Sequence, residues 1–175
     1  SPLFAYYALW GLFEIGETQL ALNTIGSAYG TMIGRGATTL WSDWLGEGSR
    51  CRGGAAGPTS LLSRYLLGIE PEVPGYSRFS ALPSLGTLDA ASGRVPTPYG
   101  TIEAGWERTA SGVAMDLLVP QNTTALAGLP AEADSHQFLL DGIPARAVEE
   151  YRRRGKYLTS ELTAGHHRLE IIFES

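Results

Sequence analysis

The chain has 175 residues, with 13 basic against 18 acidic side chains for a net charge of -5, and 43% of it is hydrophobic. That length is one ordinary domain or two small ones; the apolar content excludes a disordered chain, and the acidic balance argues against a polyanion binder. A lone cysteine, Cys51, excludes an internal disulfide and a cysteine-based zinc site, while 22 scattered glycines point to many turns and a large β portion.

Ser1-Pro2-Leu3 has no initiator methionine and no leader pattern, and no unbroken apolar run reaches the ~18 residues of a membrane span. The expectation is a soluble chain whose ends are cut from something longer. Ser1 and Pro2 suit a helix start, Leu3, Tyr6, Tyr7, Trp10 and Phe13 recur at helical spacing, and Gly16 closes the run. A second helix is expected from Glu17 to about Ile33, carrying Leu20, Leu22, Ile25, Ala28, Tyr29 and Met32. After Gly34 comes a loop of some twenty residues, and then a third helix opening at Pro58 with Leu61, Leu62, Tyr65 and Leu66 on its stripe and Gly68 as its cap. Three helices with wide apolar faces imply further helices upstream.

Pro71-Glu72-Val73-Pro74-Gly75 reads as a stiff linker, after which the period falls to two. Ile102, Ala104 and Trp106 make one strand, Val113, Met115, Leu117 and Val119 a second, Phe138 to Leu140 a third, and Leu169, Ile171 and Phe173 the last. With turns at Pro98-Tyr99-Gly100, Asp141-Gly142 and Ala164-Gly165, these describe an antiparallel sandwich. The basic run Arg152-Arg153-Arg154 with Lys156 follows Glu149-Glu150 and reads as a solvated strand end. His136, His166 and His167 read as turn histidines, since neighbours on a strand face opposite ways and cannot share a metal. Asn122-Thr123-Thr124 fits a glycosylation acceptor, which has meaning only in a secreted protein.

No dinucleotide fingerprint, phosphate loop, zinc-protease motif or calcium loop occurs, so neither cofactor nor metal is expected. The chemistry-bearing segment is the loop. Trp41 and Trp44 offer faces for sugar C–H patches, and Asp43, Glu47 and Arg52 offer hydroxyl partners; the competing interpretation is that the two indoles plug a helical core.

Gly36-Ala37-Thr38-Thr39-Leu40-Trp41, Cys51 with Ala56-Gly57-Pro58-Thr59, Pro74-Gly75-Tyr76, Pro83-Ser84-Leu85-Gly86 and Gly93-Arg94-Val95-Pro96-Thr97-Pro98-Tyr99-Gly100-Thr101-Ile102 with Trp106 resemble the C-terminal part of bacterial and fungal α-L-rhamnosidases, glycoside hydrolase family 78. The resemblance implies a multidomain α-then-β chain: residues 1–70 as the last helices of a six-hairpin (α/α)6 toroid, and residues 71–175 as a C-terminal antiparallel β-sandwich. It implies removal of terminal rhamnose from glycans or glycosides by inverting hydrolysis, with the general acid in the upstream toroid and this chain inactive by itself. The implied partners are a rhamnose-containing carbohydrate and the upstream toroid domain, with no nucleic acid and no membrane; the glycan substrate and the Asn122 acceptor suit secretion.

By the family pattern the second carboxylate directly follows the tryptophan of Thr-Thr-x-Trp, a position held here by Ser42, whose hydroxyl is no unaided base. Where the family reads Cys-His-Gly-Trp, this chain reads Cys51-Arg52-Gly53-Gly54. Three consequences stay open: Asp43 or Glu47 supplies the carboxylate, the pocket only binds sugar, or the scaffold carries a rhamnose-glucuronate lyase in which Arg52 steadies an enolate-like intermediate.

Overall fold

The computed structural model describes residues 1–131, 136–152 and 155–173. The chain falls into two compact units, Ser1–Leu62 and Ser63–Ser175.

In the first unit α1 spans Pro2–Glu14 and α2 spans Thr18–Gly34. A turn in which Gly16 adopts φ 85° joins them, the Glu17 amide donating to the Leu12 carbonyl at 2.9 Å. A 3₁₀ turn, Gly53–Ala55, and a short α3, Gly57–Leu61, complete the unit. The buried face of α1 differs from the expected one. Leu9 and Phe13 are fully enclosed, whereas Tyr7 is 58% and Trp10 38% exposed. Apolar residues surround this helix, so spacing alone does not select which stripe meets α2 and α3. On α2 the enclosed positions are Thr18, Ala21, Tyr29 and Met32, while Leu20 lies half in solvent.

Beyond α3 the helix relaxes into one π turn, Leu62–Leu66, instead of running on to Gly68. The turn runs into the second unit, where the Ser84 amide donates to the Tyr65 carbonyl at 2.8 Å and the Trp106 indole N–H donates to the Leu66 carbonyl at 2.6 Å. The carbonyls of the last turn are satisfied from outside the helix, which ends there.

The second unit is a β-sandwich. One sheet has the order β1 (Ile69–Pro71), β2 (Arg78–Ala81), β6 (Thr124–Pro130), β10 (Gly155–Leu162), β9 (Val148–Arg152). The other runs β3 (Ala90–Thr97), β4 (Gly100–Thr109), β5 (Gly112–Val119), β11 (Gly165–Phe173), β7 (His136–Leu140), β8 (Ile143–Pro144). Between them lie Phe79, Leu129 and Leu158 from the first sheet and Ile102, Trp106, Met115, Leu117, Leu169 and Ile171 from the second. Those of the second sheet are the alternating apolar positions of the strands expected at 102, 113 and 169; Phe79, Leu129 and Leu158 lie in strands the sequence reading did not place.

Two features depart from the expectation. Pro71–Gly75 is no linker: Pro71 closes β1, paired with Phe79, and the Glu72 and Val73 amides both donate to the Arg78 carbonyl, so the segment turns a hairpin. The sandwich is also not wholly antiparallel, because β2 pairs with β6 in parallel, Arg78 opposite Thr124 through Ala81 opposite Ala127. Strands β3 to β5, in the other sheet, form the crossover that a parallel pair needs.

At the turn after β7, Asp141 (φ 53°) and Gly142 (φ 77°) make the left-handed pair that a two-residue hairpin requires. Asp141 accepts from the Arg168 amide at 2.8 Å and lies 3.2 Å from the His167 ring Nδ1, whose Nε2 is 2.9 Å from the Thr163 carbonyl. The Arg168 amide first, and then the His167 contact, hold the Asp141 carboxyl below the usual range. Its contribution to stability is therefore present above the unfolded value of ~3.9 and fades as pH falls below it. Asp141→Asn, which keeps the turn geometry, is expected to cost a few tenths of a kcal/mol because the Asp141 side chain is exposed. Asp141→Ala adds about 1 kcal/mol for a left-handed alanine. Urea midpoints of the two variants at neutral pH check this ordering.

His166 and His167 point to opposite sides, as expected for strand neighbours; the side chain of His136 lies outside the described residues. Arg152 pairs with Glu150 at 2.6 Å and Lys156 with Glu149 at 2.8 Å, so these cations are neutralised by the acidic residues before them. Arg153 and Arg154 lie outside the described residues. Among the described residues no helix is long and apolar enough to cross a membrane.

Candidate functional site

The loop that follows α2 is a closed structure. Its ends are tied by the Ser42 amide donating to the Ser49 carbonyl at 2.8 Å and the Arg52 amide donating to the Leu40 carbonyl at 2.9 Å. The Thr39 hydroxyl donates to the Arg50 carbonyl, and the Arg35 guanidinium reaches from the end of α2 to the Leu45 carbonyl at 3.0 Å.

Asp43 lies at the centre. One of its oxygens accepts from the amides of Leu45 (3.0 Å), Gly46 (2.8 Å) and Glu47 (3.2 Å); the other accepts from the Gly48 amide at 2.7 Å and lies 3.3 Å from the Ser42 hydroxyl. Consecutive N–H groups converging on one carboxylate form an anion nest. They hold the Asp43 carboxyl down at about 2, the Gly48 amide contributing most. A carboxylate with so low an affinity for a proton, and with its lone pairs already engaged, is a poor general base. It is equally unable to activate Ser42 as a nucleophile.

The two tryptophans are not equivalent. Trp41 is only 5% exposed. Its ring lies against Gly46, where an added Cβ would stand 2.8 Å from the ring carbons, and the Arg50 guanidinium is 5.6 Å from its centroid. Trp41 thus fills the interior of the loop and has no face to offer a sugar, which favours the plug interpretation for this residue. Trp44 is half-buried and meets Tyr29 edge-on, centroids 5.1 Å apart.

Glu47 and Arg52 are exposed, and neither side chain has an ion-pair or hydrogen-bond partner among the described residues. No hydrogen bond, ion pair or ring contact joins the side chains of Glu47, Trp44 and Arg52 to one another among those residues. Among the described residues the loop therefore presents one unpaired carboxylate, Glu47, and one unpaired guanidinium, Arg52, to solvent and keeps a second carboxylate, Asp43, for its own backbone. The roles of Arg35, Arg50, Gly46 and Gly48 in shaping it were not legible in the sequence, because each acts through a backbone group or a ring whose position exists only in the folded loop. Among the described residues no group of three or more His, Cys, Asp or Glu side chains could hold a metal ion.

A second concavity, of about 560 Å³, lies on the outer face of the six-stranded sheet, lined by Ser92, Arg94, Glu103, Asp116 and His166 above Gly105. Its charges satisfy one another: Arg94 lies 3.1 Å from Glu103, and Arg168 lies 2.7 Å from Asp116.

The α-L-rhamnosidase structure from Dictyoglumus thermophilum matches with a TM-score of 0.82 at 21% identity, over 98% of this chain and 21% of that one. At that identity the likeness is one of fold. Residues 68–138 match the bacterial alpha-L-rhamnosidase C-terminal domain. An alpha-L-rhamnosidase of Alteromonas sp. (strain LOR) is 32% identical over 53% of this chain and 11% of its own length. A second alpha-L-rhamnosidase, from Formosa agariphila, is 28% identical over 84% of this chain and 18% of its own. In sequence, residues 68–138 are similar to that C-terminal domain, and in fold the chain is similar to part of the Dictyoglumus thermophilum structure; it spans less than a fifth of the length of either curated relative.

Proposed function

We propose that the chain is the C-terminal part of a glycosidase that removes terminal rhamnose from glycans or glycosides by inverting hydrolysis. The match of residues 68–138 to the rhamnosidase C-terminal domain carries this reading. In it, the helices of the first unit, Ser1–Leu62, are the last of a six-hairpin toroid, and the sandwich that follows takes in Ile69 and Glu70 of β1, so the boundary lies before the expected residue 70. The exposed Phe4, Ile15 and Ile33, each at least 68% accessible, support the toroid assignment: such side chains on an apolar helix pair are the surface that neighbouring helices cover.

In the reaction, water bonds to the anomeric carbon of rhamnose from the side opposite the leaving group, the glycosidic C–O bond breaks, and the leaving oxygen takes a proton from an acid outside this chain. The proton lost by water goes to a base on the loop. Ser42 occupies the family position without a carboxylate, and Asp43 is filled by its nest. Glu47, exposed and unpaired, takes the role. Arg52 binds substrate hydroxyls or a neighbouring uronate carboxylate.

The test incubates the full-length protein with a rhamnose-capped, glucuronate-containing oligosaccharide and follows the products by mass, ultraviolet absorbance and proton NMR of the anomeric signal. The expected result is free rhamnose, water added, inverted configuration in the first-formed sugar and no new absorbance. An unsaturated uronate product would instead assign elimination chemistry, and an unchanged substrate that still binds would assign a recognition role.

A further inference from the structure

We infer that Asp43 is a positioning residue for this reaction: it organises the 41–50 loop as an internal anion and thereby sets where Glu47 stands. The inference rests on the hydrolase reading for its kinetic consequence, but on the loop geometry for its physical content.

Four successive amides, from Leu45 to Gly48, point inward at one carboxylate. In an irregular loop those donors would otherwise need water or be left unpaired, and each lost partner is costly. The inward turn brings the backbone too close to its neighbours for side chains at two places. A Cβ at Gly48 would lie 2.6 Å from the Ser42 hydroxyl and 2.8 Å from the Asp43 carboxylate, and Gly46, at φ 76°, rests on the Trp41 ring. The carboxylate, the two glycines and the indole therefore form one packed unit with Glu47 at its rim. Because the Glu47 amide itself donates to Asp43, the backbone that carries Glu47 is tied to that unit directly. Ser42, in the family base position, is the hydroxyl neighbour of the same carboxylate. The sequence thus replaces a reacting carboxylate at one position by a structural one at the next.

Asparagine cannot replace Asp43. Its single carbonyl oxygen can serve one side of the nest, while its NH₂ would face the Gly48 amide as donor against donor. A misplacement of about 1 Å at a reacting group is worth about 100-fold in rate, so Asp43→Asn and Asp43→Ala in the full-length protein are expected to lower kcat about 10- to 100-fold with KM within about 3-fold. Asp43→Glu, which keeps both oxygens, is expected to recover part of the loss.

Azide separates positioning from base catalysis. An inverting enzyme stripped of its base admits azide to the vacated space, and the attacking anion needs no proton removed. Glu47→Ala is expected to regain activity with azide and to yield the inverted glycosyl azide, while Asp43→Ala is not. In the 175-residue chain itself, Asp43→Asn is expected to raise the hydrogen-exchange rates of the Leu45, Gly46, Glu47 and Gly48 amides at least 10-fold while leaving those of β5 and β11 unchanged. Azide rescue of Asp43→Ala, or unchanged exchange at the four amides, would overturn the inference. If the wild-type protein releases no rhamnose, the functional reading fails by itself, and the exchange experiment still decides whether Asp43 organises the loop.

Discussion

Replacing Gly68 by alanine is expected to destabilise the sandwich unit by about 3 kcal/mol or more. Gly68 follows the π turn at φ 70°, where alanine is strained by about 1 to 2 kcal/mol. The greater cost is steric. An added Cβ would lie 2.1 Å from the Leu82 carbonyl carbon and 2.3 Å from both the Leu82 nitrogen and oxygen. These are main-chain atoms, so no rotamer change relieves the clash, and overpacking of that kind adds about 1 to 3 kcal/mol. The same backbones are tied together by the Leu82 amide donating to the Gly68 carbonyl at 3.2 Å. Relief by separation would strip that bond and draw the Leu66 carbonyl from the Trp106 indole. Urea unfolding of the chain followed by tryptophan fluorescence measures the change; a midpoint within error of wild type would show that the 68–82 crossing is looser than its geometry indicates.

The second large effect is on activity. Glu47→Gln in the full-length protein is expected to reduce kcat for rhamnose release by about 10²- to 10⁴-fold, the range set by removing a general base. KM should stay within a few-fold, since a base that acts on water contributes little to holding the sugar. Glutamine preserves the size and the exposed position of the side chain, and the backbone amide that donates to Asp43 is untouched. The loss would therefore report chemistry and not loop collapse. An unchanged kcat would remove Glu47 from the mechanism and leave the loop without a base.

Much of the second unit was legible because its strands obey a period of two. Ile102, Ala104 and Trp106 alternate with polar or small residues, Val113, Met115, Leu117 and Val119 do so almost as cleanly, and all reach the core. Strand β6, Thr124–Pro130, did not stand out, being built of alanine, glycine and leucine in a sandwich position where small side chains suffice. Strand β10 hides its period for another reason: Thr159 is buried, a polar residue made acceptable by its hydroxyl donating to the Val148 carbonyl at 3.0 Å. Pro71 suggested a break, yet it sits on an edge strand, where a missing N–H costs nothing.

By itself, the sequence determined the order of helix and strand, the alternating faces of the longest strands, and the departure at Ser42, because these follow from local periodicity and from which side chain occupies a given position. The tertiary structure alone decided which of two neighbouring carboxylates is available. Asp43 and Glu47 have nearly the same chemistry in the unfolded chain, and they stand four positions apart. Only the closed loop turns four amides toward one and leaves the other in solvent, and it is that inward convergence of backbone dipoles, which no side-chain pattern encodes, that makes Asp43 structural and leaves Glu47 free.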